Sequence, residues 1–172
     1  LRTSSAASDV YKRQIYNPAP VQYGDETILL VSVVEHAATR GYGRDVGQTR
    51  IARSNDGINF VLSEENFIDP QAVGEPWDRY HHFIDNRITK IEDWYYIITP
   101  VMVNGFDSPV GMLGRTKDFK SYERIDIITQ PKNRGASLFP EKINGKYYKF
   151  DRPGGGDLSL IHISEPTRLS WI

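Results

Sequence analysis

The side chains best suited to chemistry in this sequence are one aspartate and four arginines. Asp85 and Arg87 lie two residues apart, so on a β-strand they would project from the same face. The other three arginines, Arg44, Arg134 and Arg152, belong to separate Gly- or Pro-containing motifs. The planar fork of a guanidinium matches two phosphate oxygens, so such a group beside a carboxyl could hold an anion near an acid. The simpler interpretation is a structural Asp–Arg pair among ordinary surface cations.

Short runs rich in Tyr, Ile and Val, separated by Gly, Pro, Asn and Asp, must position these side chains. No long stretch has convincing helical periodicity, so the sequence predicts an all-β protein. Asp56-Gly57 and Asn144-Gly145 predict two-residue hairpin turns, whose central positions both need a positive φ. The predicted strands are Thr27–Val34, Thr49–Arg53, Asn59–Leu62, Arg87–Ile91, Trp94–Met102, Val110–Arg115, Ile125–Thr129, Glu141–Ile143 and Lys146–Asp151.

Two kinds of unit recur along the chain. One is a strand, a tight turn and an aromatic strand, found around Gly24, Asp93 and Gly145. The other is a small residue, Ser or Thr, Asp and an aromatic residue, found around Asp56 and Asp118. Copies return after roughly 50 to 60 residues, near the repeat length of propeller blades, whose apolar faces are covered by neighbouring blades. The spacing predicts two to three blades of a β-propeller, with a β-sandwich as the alternative.

Composition excludes several classes of protein. The chain has 172 residues, a net charge of −1 and 25% charged residues, so its bulk charge indicates no nucleic-acid partner. No apolar run reaches membrane-spanning length, and the absence of cysteine excludes disulfides and thiolate chemistry. His81 and His82 are adjacent, so on a strand they point to opposite faces and do not share one metal ion. We therefore expect no membrane, nucleic acid or metal as a partner.

The two ends of the chain can be read from one DNA cassette in opposite orientations. Asp9–Gln14 back-translates to GAT GTG TAT AAG AGA CAG, whose reverse complement encodes Leu158–Ile163 in order. This cassette resembles the transposon-derived adaptor of sequencing libraries, and such segments are excluded from fold reasoning. We therefore expect residues 1–14 and 158–172 to be adaptor-derived, and residues 15–157 to be one partial domain from a longer gene. A polypeptide of this extent is expected to be inactive by itself.

Several runs of the sequence, taken in order, match one known family: Asn17-Pro18-Ala19, Ala52–Gly57, Asp85-Asn86-Arg87-Ile88-Thr89, Leu138–Tyr147 and Asp151-Arg152-Pro153. They resemble glycoside hydrolase family 130, five-bladed β-propellers that act on β-mannosides, and the resemblance covers essentially all of residues 15–157. It implies a partial five-bladed β-propeller that cleaves short β-mannosides with inversion at the anomeric carbon. Phosphorolysis would give mannose 1-phosphate and would need no cofactor, with inorganic phosphate as the co-substrate.

The resemblance also implies roles for individual residues. Asp85 would be the catalytic proton donor, acting on the leaving oxygen through a hydroxyl of the mannosyl ring. The sugar substrate would be bound by Asn17, Arg87 and Asp151. Phosphate would be bound by Arg44, Asn133, Arg134 and Arg152.

Two other functions stay open at this point. A β-mannosidase on the same propeller needs a second carboxylate to deprotonate water, for which Asp107, Glu75 and Asp151 are available. A non-catalytic sugar-binding propeller would bind its ligand without turnover. An oligosaccharide is the expected partner in each case, and the full-length protein could form a homo-oligomer. The compartment stays open as well, with the cytoplasm expected for a phosphorylase.

Overall fold

The structure is a computed structural model that describes residues 13–35, 46–74, 79–105, 108–154 and 159–163. None of these residues belongs to a helix long and apolar enough to cross a membrane. The described residues form twelve β-strands: β1 Arg13–Tyr23, β2 Glu26–Glu35, β3 Val46–Ser54, β4 Val61–Ile68, β5 Tyr80–His81, β6 Arg87–Ile91, β7 Trp94–Val103, β8 Val110–Thr116, β9 Glu123–Ile127, β10 Ser137–Leu138, β11 Tyr147–Asp151 and β12 Ser159–Ile163.

The strands are arranged as three antiparallel sheets, which we term blades. Blade 1 has the order β1-β2-β3-β4, and blade 3 has the order β10-β11-β12. In blade 2 the order is β7-β8-β9, and both β5 and β6 pair with β7. Each sheet follows chain order, as expected for propeller blades built from successive hairpins. The predicted all-β fold with two to three blades is therefore confirmed, and the two-layer β-sandwich alternative is wrong.

Strand β7 separates two hydrophobic cores, because successive residues of a strand point to opposite faces. Tyr95 and Ile97 pack into the core shared with blade 1, whereas Tyr96 and Ile98 pack into the core shared with blade 3. Both faces of blade 2 are thus buried against neighbouring blades. The buried partners from blades 1 and 3 include Ile28, Leu30, Ile51, Phe67, Ile68, Ala136, Leu138 and Tyr147.

The two repeated units occupy equivalent places in successive blades. The tight turns at residues 24–25 and 92–93 join β1 to β2 and β6 to β7, and the turn at 144–145 precedes β11. The Asp56 and Asp118 units join β3 to β4 and β8 to β9. The repeated sequence units therefore correspond to equivalent connections between strands in successive blades.

One of the two predicted hairpin turns is confirmed and the other is wrong. Asn144 and Gly145 both have positive φ, of 52° and 73°, between the bridged residues Ile143 and Lys146. In the other pair only Gly57 has a positive φ, of 71°, and the connection from β3 to β4 is longer than two residues. The Asp56 carboxylate accepts backbone N–H groups further along this connection, which favours a wider, side-chain-capped turn.

Most predicted strands overlap observed ones, and the observed β5 and β12 have no predicted counterpart. Glu141–Ile143 is not a strand, and blade 3 begins at β10 instead; Pro140 has no N–H to donate and ends that ladder. Asn59–Leu62 marks only the start of β4, whose pairing with β3 contains register shifts that break the expected alternation. Ile125–Thr129 lies two residues later than β9. Strand β1 is not among the predicted strands, although the repeated unit around Gly24 has a strand before its turn; β1 contains two prolines, which an edge strand tolerates.

The ends of the described chain also join sheets. Strand β1 begins at Arg13, and β12 at Ser159–Ile163 pairs with β11 along its whole length. Ladder pairing uses backbone groups, which any residue except proline supplies, so it is compatible with a strand of any origin. The domain limits at residues 15 and 157 stay a prediction.

Candidate active site

The cavity that gathers the candidate residues lies where the innermost strands of the three blades meet. Strand β6 contacts both β1 and β10. Regular pairing is interrupted there twice: β1 shifts register between Tyr16 and Ala19, and a loop separates β5 from β6 along the edge of β7. The resulting cavity has a volume of about 860 Å³. It is lined by residues 16–20, residues 84–88, Arg134, Ser137 and Arg152.

The loop between β5 and β6 carries Asp85 and is docked on blade 1 by backbone hydrogen bonds. Phe83 N–H donates to the carbonyl of Gly47 at 2.9 Å. Asp85 N–H donates to the hydroxyl of Ser32, also at 2.9 Å. Ser32 is fully buried, so this hydrogen bond is shielded from water. The position of Asp85 is therefore set by blade 1, although the residue belongs to blade 2.

A buried amide next to the acid reinforces this docking. Asn86 donates to Thr49 Oγ1 at 2.6 Å and accepts from Thr99 Oγ1 at 2.7 Å. Thr49 in turn donates to the carbonyl of Phe83 at 2.8 Å. Asn86, Thr49 and Thr99 are all 0% exposed, and loss of one partner would leave a buried polar group unsatisfied. The network joins blades 1 and 2 directly behind Asp85.

The Asp85 carboxyl meets two of the predicted site residues. Asn17 Nδ2 donates to Asp85 Oδ1, and Arg134 Nε lies 3.9 Å from Asp85 Oδ2. The Asp85 side chain is 16% exposed, whereas that of Arg134 is 63% exposed. The amide is therefore a direct partner, and the guanidinium is a solvent-screened charge at longer range. One carboxyl oxygen faces an amide donor and the other faces a cation.

The predicted pairing of Asp85 with Arg87 on one strand face is wrong. Strand β6 begins at Arg87, and Asp85 lies in the preceding loop with a φ of 60°. Arg87 Nη1 donates to the backbone carbonyls of Asp85 and Asn86, at 3.1 and 2.9 Å. Both side chains nevertheless line the cavity, and the guanidinium stabilises the loop backbone rather than the carboxylate.

Arg134 and Arg152 enter the cavity from two neighbouring segments of blade 3. The segments are bridged between Asn133 and Pro153. Gly135 lies against the Arg152 guanidinium, since a Cβ at residue 135 would be 2.9 Å from Nε and 3.1 Å from Cζ. The structure thus brings together both arginines from sequence positions far apart. A dianionic ligand in this cavity would meet their guanidinium groups on one side.

Asn133 and Asp151 do not line the cavity but lie buried below it. Asn133 Nδ2 donates to Asp151 Oδ1, and Lys149 Nζ donates to Asp151 Oδ2 at 2.6 Å. Lys149 also donates to the carbonyl of Ile128 at 2.8 Å. All three side chains of this cluster are less than a tenth exposed. The roles predicted for Asn133 in binding phosphate and for Asp151 in binding sugar therefore have no direct geometric basis here.

Arg44 and the candidate bases Glu75 and Asp107 lie outside the described residues. His81 and His82 are half-buried and do not line the cavity. Among the residues that the structure describes, no cluster of three or more His, Asp or Glu side chains could hold a metal ion. The described part of the site therefore consists of a carboxyl, amides, hydroxyls and guanidinium groups.

Sequence reasoning missed the hydroxyl residues that anchor the acid-bearing loop. Ser32, Thr49 and Thr99 come from β2, β3 and β7, and each is fully buried. The available signal was a polar residue inside a run that otherwise reads as a buried strand. Hydroxyl residues are common in strands, however, so the sequence does not indicate which of them faces a functional loop.

The fold and the cavity define a partial β-propeller with one carboxyl and several guanidinium groups where its innermost strands meet. The model of glycoside hydrolase family 130, described as beta-1,4-mannooligosaccharide phosphorylase, matches residues 4–170. The chain belongs to this family. Related structures are five-bladed propellers, so the chain is a partial five-bladed β-propeller, as predicted.

Individual relatives are similar over most of this chain. A beta-1,2-mannobiose phosphorylase from Listeria innocua serovar 6a is 38% identical over 136 residues, covering 76% of the chain and 36% of the relative. A 1,2-beta-oligomannan phosphorylase from Thermoanaerobacter sp. is 28% identical over 148 residues, covering 86% and 49%. A structure of the Listeria innocua enzyme with beta-1,2-mannobiose superposes with a TM-score of 0.71 at 25% identity, covering 90% and 57%. The chain thus spans less than half the length of these two curated relatives.

Proposed function

We propose that the protein containing this chain cleaves β-mannosides by phosphorolysis, with inversion, to give mannose 1-phosphate. A phosphate oxygen attacks the anomeric carbon from the face opposite the glycosidic bond. The bond between that carbon and the leaving oxygen breaks, and the leaving oxygen receives a proton that originates from Asp85, relayed through a hydroxyl of the mannosyl ring. The products are mannose 1-phosphate and the acceptor sugar with a free hydroxyl. No cofactor is proposed.

The observation that carries this proposal is the charge distribution of the cavity. Among its described lining residues, Asp85 is the one carboxylate, and it is accompanied by Arg87, Arg134 and Arg152. An inverting hydrolase needs a second carboxylate, about 6.5–9.5 Å from the acid, to deprotonate the attacking water. Phosphate is already an anionic nucleophile and needs positioning by cations instead. The lining of the described cavity therefore favours phosphorolysis over hydrolysis.

The roles proposed for individual residues follow from their contacts. Asn17 holds one carboxyl oxygen of Asp85 and lines the cavity, where its position suits contact with the sugar. Arg134 and Arg152 bind phosphate, and Arg87 supports the acid-bearing loop. Arg44 is proposed as a further phosphate ligand from its motif alone. The relatives are named as phosphorylases of β-1,2- and β-1,4-linked mannosides, which supports the reaction and leaves the linkage to be measured.

The experiment uses the protein encoded by the longest open reading frame that contains residues 15–157, which we term the parent protein. It is incubated with β-1,2- and β-1,4-mannobiose, with and without inorganic phosphate, and products are separated by chromatography. We expect mannose 1-phosphate to appear only with phosphate. Equal release of free mannose in phosphate-free buffer would instead show a β-mannosidase, with its base outside the described residues. Sugar binding without turnover would show a non-catalytic propeller.

A further inference from the structure

A buried ion pair lies next to the two segments of blade 3 that carry Arg134 and Arg152 into the cavity. Lys149 and Asp151 are adjacent on one face of β11 and are 3% and 6% exposed. Their charges cancel, so the pair adds no net charge to the cavity above it. A buried pair costs desolvation of both ions, and replacement by apolar side chains is often neutral for stability. Stability alone therefore does not account for it.

The ion pair is the centre of a chain of hydrogen bonds that ends beside both arginines. Lys149 holds the carbonyl of Ile128, Asp151 accepts the Asn133 amide, and Gly135 N–H donates to Asn133 Oδ1 at 3.3 Å. Asn133 and Gly135 flank Arg134 in the chain, and Asp151 directly precedes Arg152. Both arginine-bearing segments are thereby fixed to one buried support.

Gly135 also contacts the second arginine, Arg152. The Arg152 guanidinium lies across residue 135, so close that an added Cβ would force this side chain to shift. The support therefore fixes the backbone next to Arg134 and also the surface on which Arg152 rests. Movement of this backbone would displace both guanidinium groups together.

We propose that the cluster of Lys149, Asp151 and Asn133, together with Gly135, positions Arg134 and Arg152 as one phosphate-binding pair. This inference rests on the phosphorolysis proposed above. Lys149 is a positioning residue in this scheme, since its ammonium contacts Asp151 and a backbone carbonyl and not the cavity. Asn133 and Asp151 act on phosphate through the arginines.

The test compares the parent protein with two variants and a control. The double variant K149M/D151L removes both buried charges, so no unpaired ion remains, and releases Asn133. Gly135→Ala leaves the ion pair intact and displaces the Arg152 side chain. Lys120→Met, at an exposed position in blade 2, removes the same charge elsewhere. Thermal midpoints establish that each variant is folded, and steady-state kinetics give KM for phosphate, KM for mannobiose and kcat.

We expect KM for phosphate to rise by about tenfold or more in K149M/D151L and Gly135→Ala, since small misplacements of binding groups are costly. KM for mannobiose should change by less than about twofold, and Lys120→Met should match the parent protein. An unchanged KM for phosphate in both variants, or an equal rise in both KM values, would overturn this inference and leave phosphorolysis standing. Failure of the unsubstituted protein to use phosphate would overturn the proposed function itself. If the double variant does not fold, the two KM values of Gly135→Ala alone test the inference.

Discussion

Asp85 and Asn17 both adopt left-handed backbone conformations where they meet at the cavity. Their φ values are 60° and 48°, a region that, among residues other than glycine, Asn and Asp tolerate best. The Ser32 hydroxyl and the buried Asn86 amide hold the loop in this conformation. The acid is therefore held by backbone and hydroxyl contacts that do not depend on its own charge.

Because of this arrangement, Asp85→Asn tests proton donation separately from the structure of the loop. Asn keeps the size of the side chain, tolerates the positive φ and leaves the backbone bond to Ser32 in place. It provides no acidic proton, so we expect kcat of the parent protein to fall by about 10²- to 10⁴-fold with an unchanged thermal midpoint. The measurement is steady-state phosphorolysis of the preferred mannobiose.

The matched control for this substitution is Asp93→Asn, at an exposed turn between β6 and β7. It removes the same charge and should leave kcat unchanged. Residual activity of Asp85→Asn within tenfold of the parent protein would contradict the assigned role of Asp85.

At the residue scale, sequence reasoning found the side chains that reach the cavity better than those that support them. Asp85, Asn17, Arg134 and Arg152 lie in distinct local motifs, and the structure gathers them around one cavity. Ser32 acts through a contact between residues 53 positions apart, for which a single sequence holds no local signal. Asp151 is predicted to bind sugar directly, and in the structure its carboxyl is buried against Lys149 and Asn133.

Strand β3 determines where the acid-bearing loop lies. A Cβ at residue 47 would come within 2.6 Å of Ile84 Cγ2 and 2.9 Å of His82 Nδ1, so only glycine allows this approach. We expect Gly47→Ala to push the loop away from blade 1, lowering kcat/KM of the parent protein together with its stability. Overpacking of this kind costs about 1–3 kcal/mol, measured as the free energy of unfolding in urea.

A control separates loop displacement from general destabilisation. Gly114→Ala overpacks blade 2 away from the cavity, since the added Cβ would meet the Tyr122 hydroxyl at 2.1 Å. It should destabilise the parent protein at least as much while sparing kcat/KM at temperatures where the protein is folded. Equal losses of kcat/KM in both variants would show that the docking of the loop on β3 has no specific effect.

The turns between the third and fourth strands of blades 1 and 2 are organised by carboxylates. In blade 2, the N–H groups of Ser121 and Lys120 lower the pKa of Asp118 from its usual 3.8 to about 2. In blade 1, the Asn59 N–H is the leading cause of a lowered pKa of Asp56. Ionised carboxylates therefore stabilise both turns, although Asp56 is exposed, Asp118 is only half-buried, and the gain is reduced by solvent.

The sign of the pH dependence follows from the lowered pKa of Asp118. The stabilisation is complete above 3.8, the value in the unfolded chain, and is lost as the pH falls through about 2. Asp118→Asn retains an oxygen acceptor but has no titrating group. We therefore expect the urea midpoint of the parent protein to exceed that of the variant above pH 3.8, and the difference to shrink towards pH 2. A difference that is constant across this range would contradict the assignment.

At the element scale, the sequence predicted most central strands and the Asn144-Gly145 turn, because period-two alternation and turn residues are local properties. The prediction failed where contacts between distant residues determine the local structure. The two prolines of β1 argue against a strand, yet β1 is an inner edge strand that pairs on one side with β2. Asp56-Gly57 looked like a two-residue turn, whereas the side chain of Asp56 organises a wider one.

Propeller blades bury their apolar faces against neighbouring blades, and among the described residues blade 1 packs against blade 2 on one face. On its other face Val31, Val33 and Ala52 are buried, and Leu29, Phe60 and Leu62 are partly buried beside them. The connection from β3 to β4 and the first residue of the outer strand β4 are exposed to solvent, since Ile58 is 82% exposed and Val61 is 77% exposed. An exposed strand edge beside an apolar surface is a typical site of association between chains.

We therefore expect the 172-residue chain to self-associate through blade 1 as its concentration rises, because contact between copies removes Ile58, Val61 and their partly buried neighbours from water. Sedimentation velocity over a concentration series measures the effect. Val61→Lys places a charge at the strand edge and should shift the distribution towards monomer, whereas Ser121→Lys, at an exposed turn of blade 2, should not. A monomer at every concentration, with one sharp thermal transition, would show that the exposed apolar residues of blade 1 need no covering partner.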